Sequence, residues 1–150
     1  MAHAQYWLRR LLDQYESGTA CFAQQMGLGA SEWARLLMRS GWTASDIDPA
    51  RQQRYALLSE LNATRAEEQA QLASWLQEHV ASDAAPMHHI IASTSLGFNH
   101  LWQDLGLDSR AELRALMMDC FPGLVAMNTQ NMRWKKFFYR QRCLHRRGTG

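Results

Sequence analysis

The chain has 150 residues, 47% of them apolar, with six tryptophans and a formal net charge of +2. One domain of this size buries roughly two thirds of its unfolded surface, the composition is too apolar for disorder, and no apolar run is long enough for a transmembrane helix. The start, Met1 to Arg10, lacks the charged-then-apolar order of a signal peptide, and cysteines at 21, 120 and 143 make no disulfide framework, so a cytoplasmic protein is expected.

Nearly every segment reads as helix. Trp7, Leu8, Leu11, Leu12 and Tyr15 fall on one helical face, with Gly18 as the stop. Residues 18–29 form a glycine-punctuated connection. Ser31 is expected to cap a short helix that buries Trp33, Leu36 and Leu37 and ends at Gly41. Asp48-Pro49 is an N-cap followed by proline where its missing N–H costs nothing. That helix passes through Tyr55, Leu58 and Leu61. Thr64-Arg65-Ala66-Glu67 reads as a capping box that restarts it through Leu72, Trp75, Leu76 and Val80; the alternative is one helix from 49 to 81.

The next helix is predicted to open at Asp83-Ala84-Ala85-Pro86. Its inward stripe is Ile90, Ile91, Thr94, Phe98, Leu101, Trp102 and Leu105, closed by Gly106. Ser109-Arg110-Ala111-Glu112 is the clearest capping box, opening a helix with Leu113, Leu116, Met117 and Cys120 inside. Phe121-Pro122-Gly123 breaks it. A last helix is expected from about Thr129 to His145. The expected fold is a single all-α domain over 1–150, a compact bundle of six or seven helices.

The end of the chain differs in charge from the rest. Residues 120–150 hold no Asp or Glu but seven of the sixteen basic residues, Arg133, Lys135, Lys136, Arg140, Arg142, Arg146 and Arg147. The other 119 residues carry nine basic groups against fourteen acidic ones, a net of −5 facing +7. Four aromatics, Trp134, Phe137, Phe138 and Tyr139, are interleaved with the cations. Their helical spacing favours a buried face with Arg133, Lys136 and Arg140 in water. The rival reading is nucleic-acid binding, with phosphates on the basic face and exposed aromatics stacking on bases.

No motif assembles an enzyme: there is no phosphate-binding glycine loop, no Gly-x-Ser-x-Gly and no His-Glu-x-x-His. The acidic residues read as solvated helix faces. His88, His89 and His100 share one predicted helix, but His89 and His100 stand about 16 Å apart along it, too far for one metal. Cys21 and Cys120 read as small buried apolar residues. Cys143, flanked by Arg140, Arg142, Arg146 and Arg147, is placed where cations favour thiolate, and His145 follows two residues on. Cys143, His145 and His100 are therefore the candidate metal ligands. Arg133, Lys135, Lys136, Arg140 and Arg142 are the candidate partner- or anion-binding residues.

The block from Asn131 to Cys143 resembles the segment that marks the NifQ family, molybdenum-donor proteins of nitrogen fixation. The likeness extends through Ser95 to Leu107, Ser109 to Leu113, Glu60 to Arg65 and Trp7 to Leu11, almost the whole chain up to Cys143. The resemblance implies a non-enzymatic role in making the iron–molybdenum cofactor. It implies an iron–sulfur cluster that takes up molybdenum, and partners in the cofactor-assembly scaffold and the nitrogenase iron protein. It places the cluster ligands in a Cys-x4-Cys-x2-Cys tail with a further Cys. This sequence instead reads Cys143-Leu144-His145-Arg146-Arg147-Gly148-Thr149-Gly150, where those four ligands are absent. Asn99 and His100, from the resembling central block, are candidates to orient a partner or metal. The alternatives are a metal-free helical docking module for an acidic protein or, less favoured, nucleic-acid binding through the basic helix.

Overall fold

A computed structural model describes residues 3–42 and 47–149, with side chains described as far as residue 144. The described residues form nine α-helices and one short 3-10 turn, without a strand. The all-α expectation holds. The helix count exceeds six or seven because two very short helices stand where continuous helix or loop was expected.

Helix α1 (His3–Ser17) buries Trp7, Leu8, Leu11, Leu12 and Tyr15, the face its periodicity marks. The connection after it contains the 3-10 turn Gln24–Gly27, where Gln25 and Met26 both adopt φ +55. This left-handed backbone is held from outside: Gln25 donates its N–H to the Tyr15 hydroxyl at 2.8 Å, and Gln24 donates to Ser59 Oγ at 2.8 Å. Helix α2 (Ala30–Ser40) starts one residue before Ser31, with Gly29 at the cap and no side-chain cap bond. Its end at Gly41, φ +63, is as expected. Helix α3 (Pro49–Ala63) is capped by Asp48, which accepts from Arg51 N at 3.3 Å. Tyr55 of α3 stacks on Tyr15 and donates its hydroxyl to the Tyr15 carbonyl.

Residues 49–81 are not one helix. Helix α4 (Ala66–Gln77) does restart near Thr64, but without the capping box. Thr64 Oγ1 instead donates back to Leu61 O at 2.7 Å, and Arg65 takes the cap position and grips Glu68 at 2.9 Å. Helix α4 packs on α5 (Met87–Thr94) and on the last helix.

The largest departure is at 95–100. The helix expected through Gly106 stops at Thr94, a loop follows, and α6 (Leu101–Asp104) is a single turn. Ile90, Ile91, Thr94, Leu101 and Leu105 are buried as the stripe predicts, but Phe98 is 81% exposed. Gly97 gives the physical reason. A Cβ there would stand 2.9 Å from Asp104 Cγ and 3.2 Å from the Thr94 carbonyl, so the chain folds back on itself at that point.

Helix α7 (Arg110–Cys120) is capped by Ser109, which accepts from Glu112 N at 3.1 Å. Glu112 pairs with Arg10, and Trp7 Nε1 donates to Asp119 at 2.7 Å, tying α7 to α1. Helix α8 (Pro122–Met127) occupies the break after Phe121, with Pro122 in its first turn. Helix α9 (Trp134–Thr149) begins five residues later than about 129. The Asn128 side chain holds Met132 through two bonds, N–H to Oδ1 at 2.8 Å and Nδ2 to O at 2.9 Å, and Asn131 turns with φ +50. Trp134, Phe137 and Phe138 join α1, α4, α5 and α7 in one apolar core, so the buried-face reading of the aromatic block is the one realised.

Candidate functional site

The loop between α5 and α6 is organised by a buried charge. Asp104 has no exposed surface. Its Oδ2 accepts from Lys135 Nζ at 3.0 Å, and its Oδ1 accepts from Asn99 Nδ2 at 3.0 Å. Lys135 Nζ also donates to the carbonyls of Gly97, at 2.9 Å, and Asn99. All three donors of the ammonium are therefore used within the fold. The arrangement closes the loop from both sides: its side chain at 99 bonds the carboxylate and its carbonyls bond the cation. Helix α9 supplies the lysine, so the last helix and the central block form one unit.

Next to this clamp lies an open groove of about 510 Å³ between α6, α7 and α9. Its polar lining is His100, Arg110, Arg133, Lys135 and Lys136; Leu101, Trp102, Leu113 and Trp134 supply its apolar part. No Asp or Glu lines it. Arg110 donates to the Asn131 carbonyl. Among the described residues, neither Arg133 nor Lys136 meets a carboxylate. The groove can hold an anionic group through charge-assisted hydrogen bonds.

Cys143 is elsewhere. It is half-buried in a separate cleft of about 460 Å³ with Arg65, Glu67, Glu68, Gln71, Tyr139 and Arg142. Arg142 donates to Gln71 at 2.9 Å, and Arg140 reaches Met132 Sδ at 3.8 Å. His88 and His89 adjoin on α5. His89 pairs with Glu32 at 3.2 Å, while His88 is buried with Nδ1 lacking a hydrogen-bond partner.

The chain matches the NifQ family model over residues 7–149. It is 56% identical over 142 residues to protein NifQ of Klebsiella pneumoniae, covering 95% of this chain and 85% of that protein. The chain belongs to the NifQ family. It is also 35% identical to protein NifQ of Azotobacter vinelandii, over 91% of this chain and 74% of the relative. A NifQ homolog of Sinorhizobium fredii is 39% identical over 91% of this chain and 58% of its own length. No solved structure gives a significant match. Membership in the NifQ family gives the chain a role related to nitrogen fixation.

The iron–sulfur cluster implied by the resemblance read from the sequence calls for several thiolates around one centre. The described thiols do not fit it. Among the described residues, no three His, Cys, Asp or Glu side chains come together to hold a metal. Cys120 is buried in the core and its thiol is pushed up to about 12 by burial. Cys21 is half-buried, and its thiol is raised by burial and then by Asp104. Cys143 and His100 line different clefts, and the side chain of His145 lies outside the described residues.

Of the residues singled out from sequence, His100, Arg133, Lys135 and Lys136 come together in one groove; Arg140, Arg142 and Cys143 do not join them. Lys135 is committed to Asp104 and two carbonyls rather than free for an external anion. Sequence reading missed Asp104, taken for a solvated acid, and Arg110, which enters the groove from α7. It also placed Phe98 inside. The available signal was Gly97 within the expected helix, since an isolated glycine there marks a close backbone approach.

Proposed function

We propose that this chain is the helical body of a molybdenum donor for nitrogenase cofactor assembly, a cytoplasmic carrier rather than an enzyme. The carrying observation is the family match across residues 7–149, with 56% identity to a NifQ protein over 95% of the chain. In this reading molybdenum is cargo, and the partners are the cofactor-assembly scaffold and the nitrogenase iron protein. The basic groove supports it by offering cations without competing carboxylates to an acidic partner or an oxyanion. Because the described thiols do not fit a cluster, no step is assigned to these residues through one. Nucleic-acid binding is the less supported reading, because three of the four aromatics in the block, Trp134, Phe137 and Phe138, are buried, which leaves Tyr139 alone of the four exposed to stack on a base.

The test supplies the chain to a nitrogen-fixing bacterium lacking its own family member. Nitrogenase activity is then measured at limiting and at excess molybdate. A donor matters when its cargo is scarce, so restored activity at limiting molybdate, with little benefit at excess, is expected. Stable expression without restoration refutes the reading. Iron and molybdenum per chain, measured after purification without oxygen, report whether the body itself retains metal.

A further inference from the structure

A single exposed apolar side chain on a protein surface needs no explanation. Phe98 differs because of what holds it. The residues on either side, Gly97 and Asn99, both give their carbonyls to Lys135, and Asn99 also bonds the buried Asp104. A buried carboxylate and its ammonium are costly to desolvate. Here they fix a loop that buries Leu96 but points its aromatic side chain, Phe98, into water, 81% exposed. Two residues on, His100 lines the groove that also holds Arg110, Arg133 and Lys136 and no acid. A rigid aromatic beside clustered cations has the composition of a protein–protein hot spot, where aromatics and arginine are enriched.

We propose that Phe98 and the neighbouring basic groove form a docking surface for an acidic protein, with Phe98 entering an apolar pocket on the partner and Arg133 and Lys136 facing its carboxylates. Charge complementarity selects this occupant. A second copy placed symmetrically on the same face would set cation against cation. The inference rests on the proposed function only for the choice of probe.

The probes are the purified cofactor-assembly scaffold and the nitrogenase iron protein, immobilised and titrated with the full chain. Because Phe98 is exposed, Phe98→Ala should fold normally, with unchanged circular dichroism and melting, and should weaken binding about tenfold or more, as expected for a hot spot. Arg133→Glu with Lys136→Glu should slow association and flatten its salt dependence. Met38→Ala, an equally exposed residue on α2 (83%), serves as the control and should bind like the wild type. Lys135→Met should weaken binding with Phe98 chemically intact, because the loop is no longer fixed.

Wild-type affinity in Phe98→Ala and in the charge-reversed variant overturns the proposal and leaves the donor reading untouched. So does failure of the wild type to bind either probe while it still restores nitrogenase activity. If restoration fails as well, the donor reading falls too. Equal dependence on these residues for a DNA duplex, for anionic phospholipid vesicles or for self-association assigns the face to another ligand and also overturns it.

Discussion

Lys135→Met tests the clamp most directly. The substitution keeps the apolar stem and removes the ammonium, leaving Asp104 buried beside two carbonyls that lose their donor. Removing one partner of a buried ion pair costs about 3–5 kcal/mol. The Lys135 side chain is 26% exposed, so water can reach the vacated space, and the lower end applies, about 3 kcal/mol. For a chain of this length that lowers Tm by about 6–12 °C. Asp104→Asn should cost less, because a lysine at the edge can swing its charge into water whereas a fully buried carboxylate cannot. The double variant should be less destabilised than the sum of the two, with a coupling of at least about 1.5 kcal/mol. Urea unfolding followed by tryptophan fluorescence reads all four states. A Lys135→Met protein within about 0.5 kcal/mol of the wild type, or strictly additive effects, would refute the clamp.

Gly97→Ala pushes a methyl against Asp104 and the Thr94 carbonyl; because Asp104 is held by two partners, stability should drop by about 1–3 kcal/mol in the same assay. His88 is held below its ordinary 6.5 by burial first and by His89 second, with Glu32 opposing. The unfolded chain therefore binds a proton that the folded chain resists. Stability is intact above about pH 6.5 and falls as pH drops through that value, by at most about 1.4 kcal/mol per pH unit. His88→Leu should flatten that slope, and an unchanged profile would exclude His88 as its source. Iodoacetamide under native conditions should label Cys143 first and leave Cys120 untouched until unfolding, since Cys120 is buried with its thiol near 12. Mass spectrometry of the labelled peptides decides this, and early labelling of Cys120 would contradict the packing.

Much of the fold was legible because its signals are local. The α1 face, the Asp48-Pro49 cap, the Ser109 cap and the Gly41 stop each depend on residues within a few positions. Helical phase was also right for most of residues 90–105. It failed at Phe98, which is four residues past Thr94 and so in register with the stripe. The force that breaks the helix comes from Asp104 and from Lys135, 31 residues beyond it. No periodicity within 86–105 reports that. The start of α9 was misplaced for a similar reason, since Asn128 closes a loop onto Met132 with its side chain rather than capping a helix. In the site, Arg133 and Lys136 were legible as neighbours in sequence. Arg110 and the commitment of Lys135 were not, because both depend on which helices pack together.

The clamp is hard to explain by stability alone. Apolar side chains of similar volume commonly match or exceed a buried ion pair in stabilising a fold, and the core beneath α9 is already supplied by Trp134, Phe137 and Phe138. What apolar packing cannot supply is direction. Carbonyls at 97 and 99 must be met by donors and the amide at 99 by an acceptor, so a Lys–Asp pair admits few loop conformations where a greasy contact would admit many. The same lysine belongs to the helix that carries Lys136 and that Arg133 immediately precedes. Its one side chain therefore sets the position of Phe98 relative to the basic groove, and the buried charge is best understood as fixing the geometry of a surface.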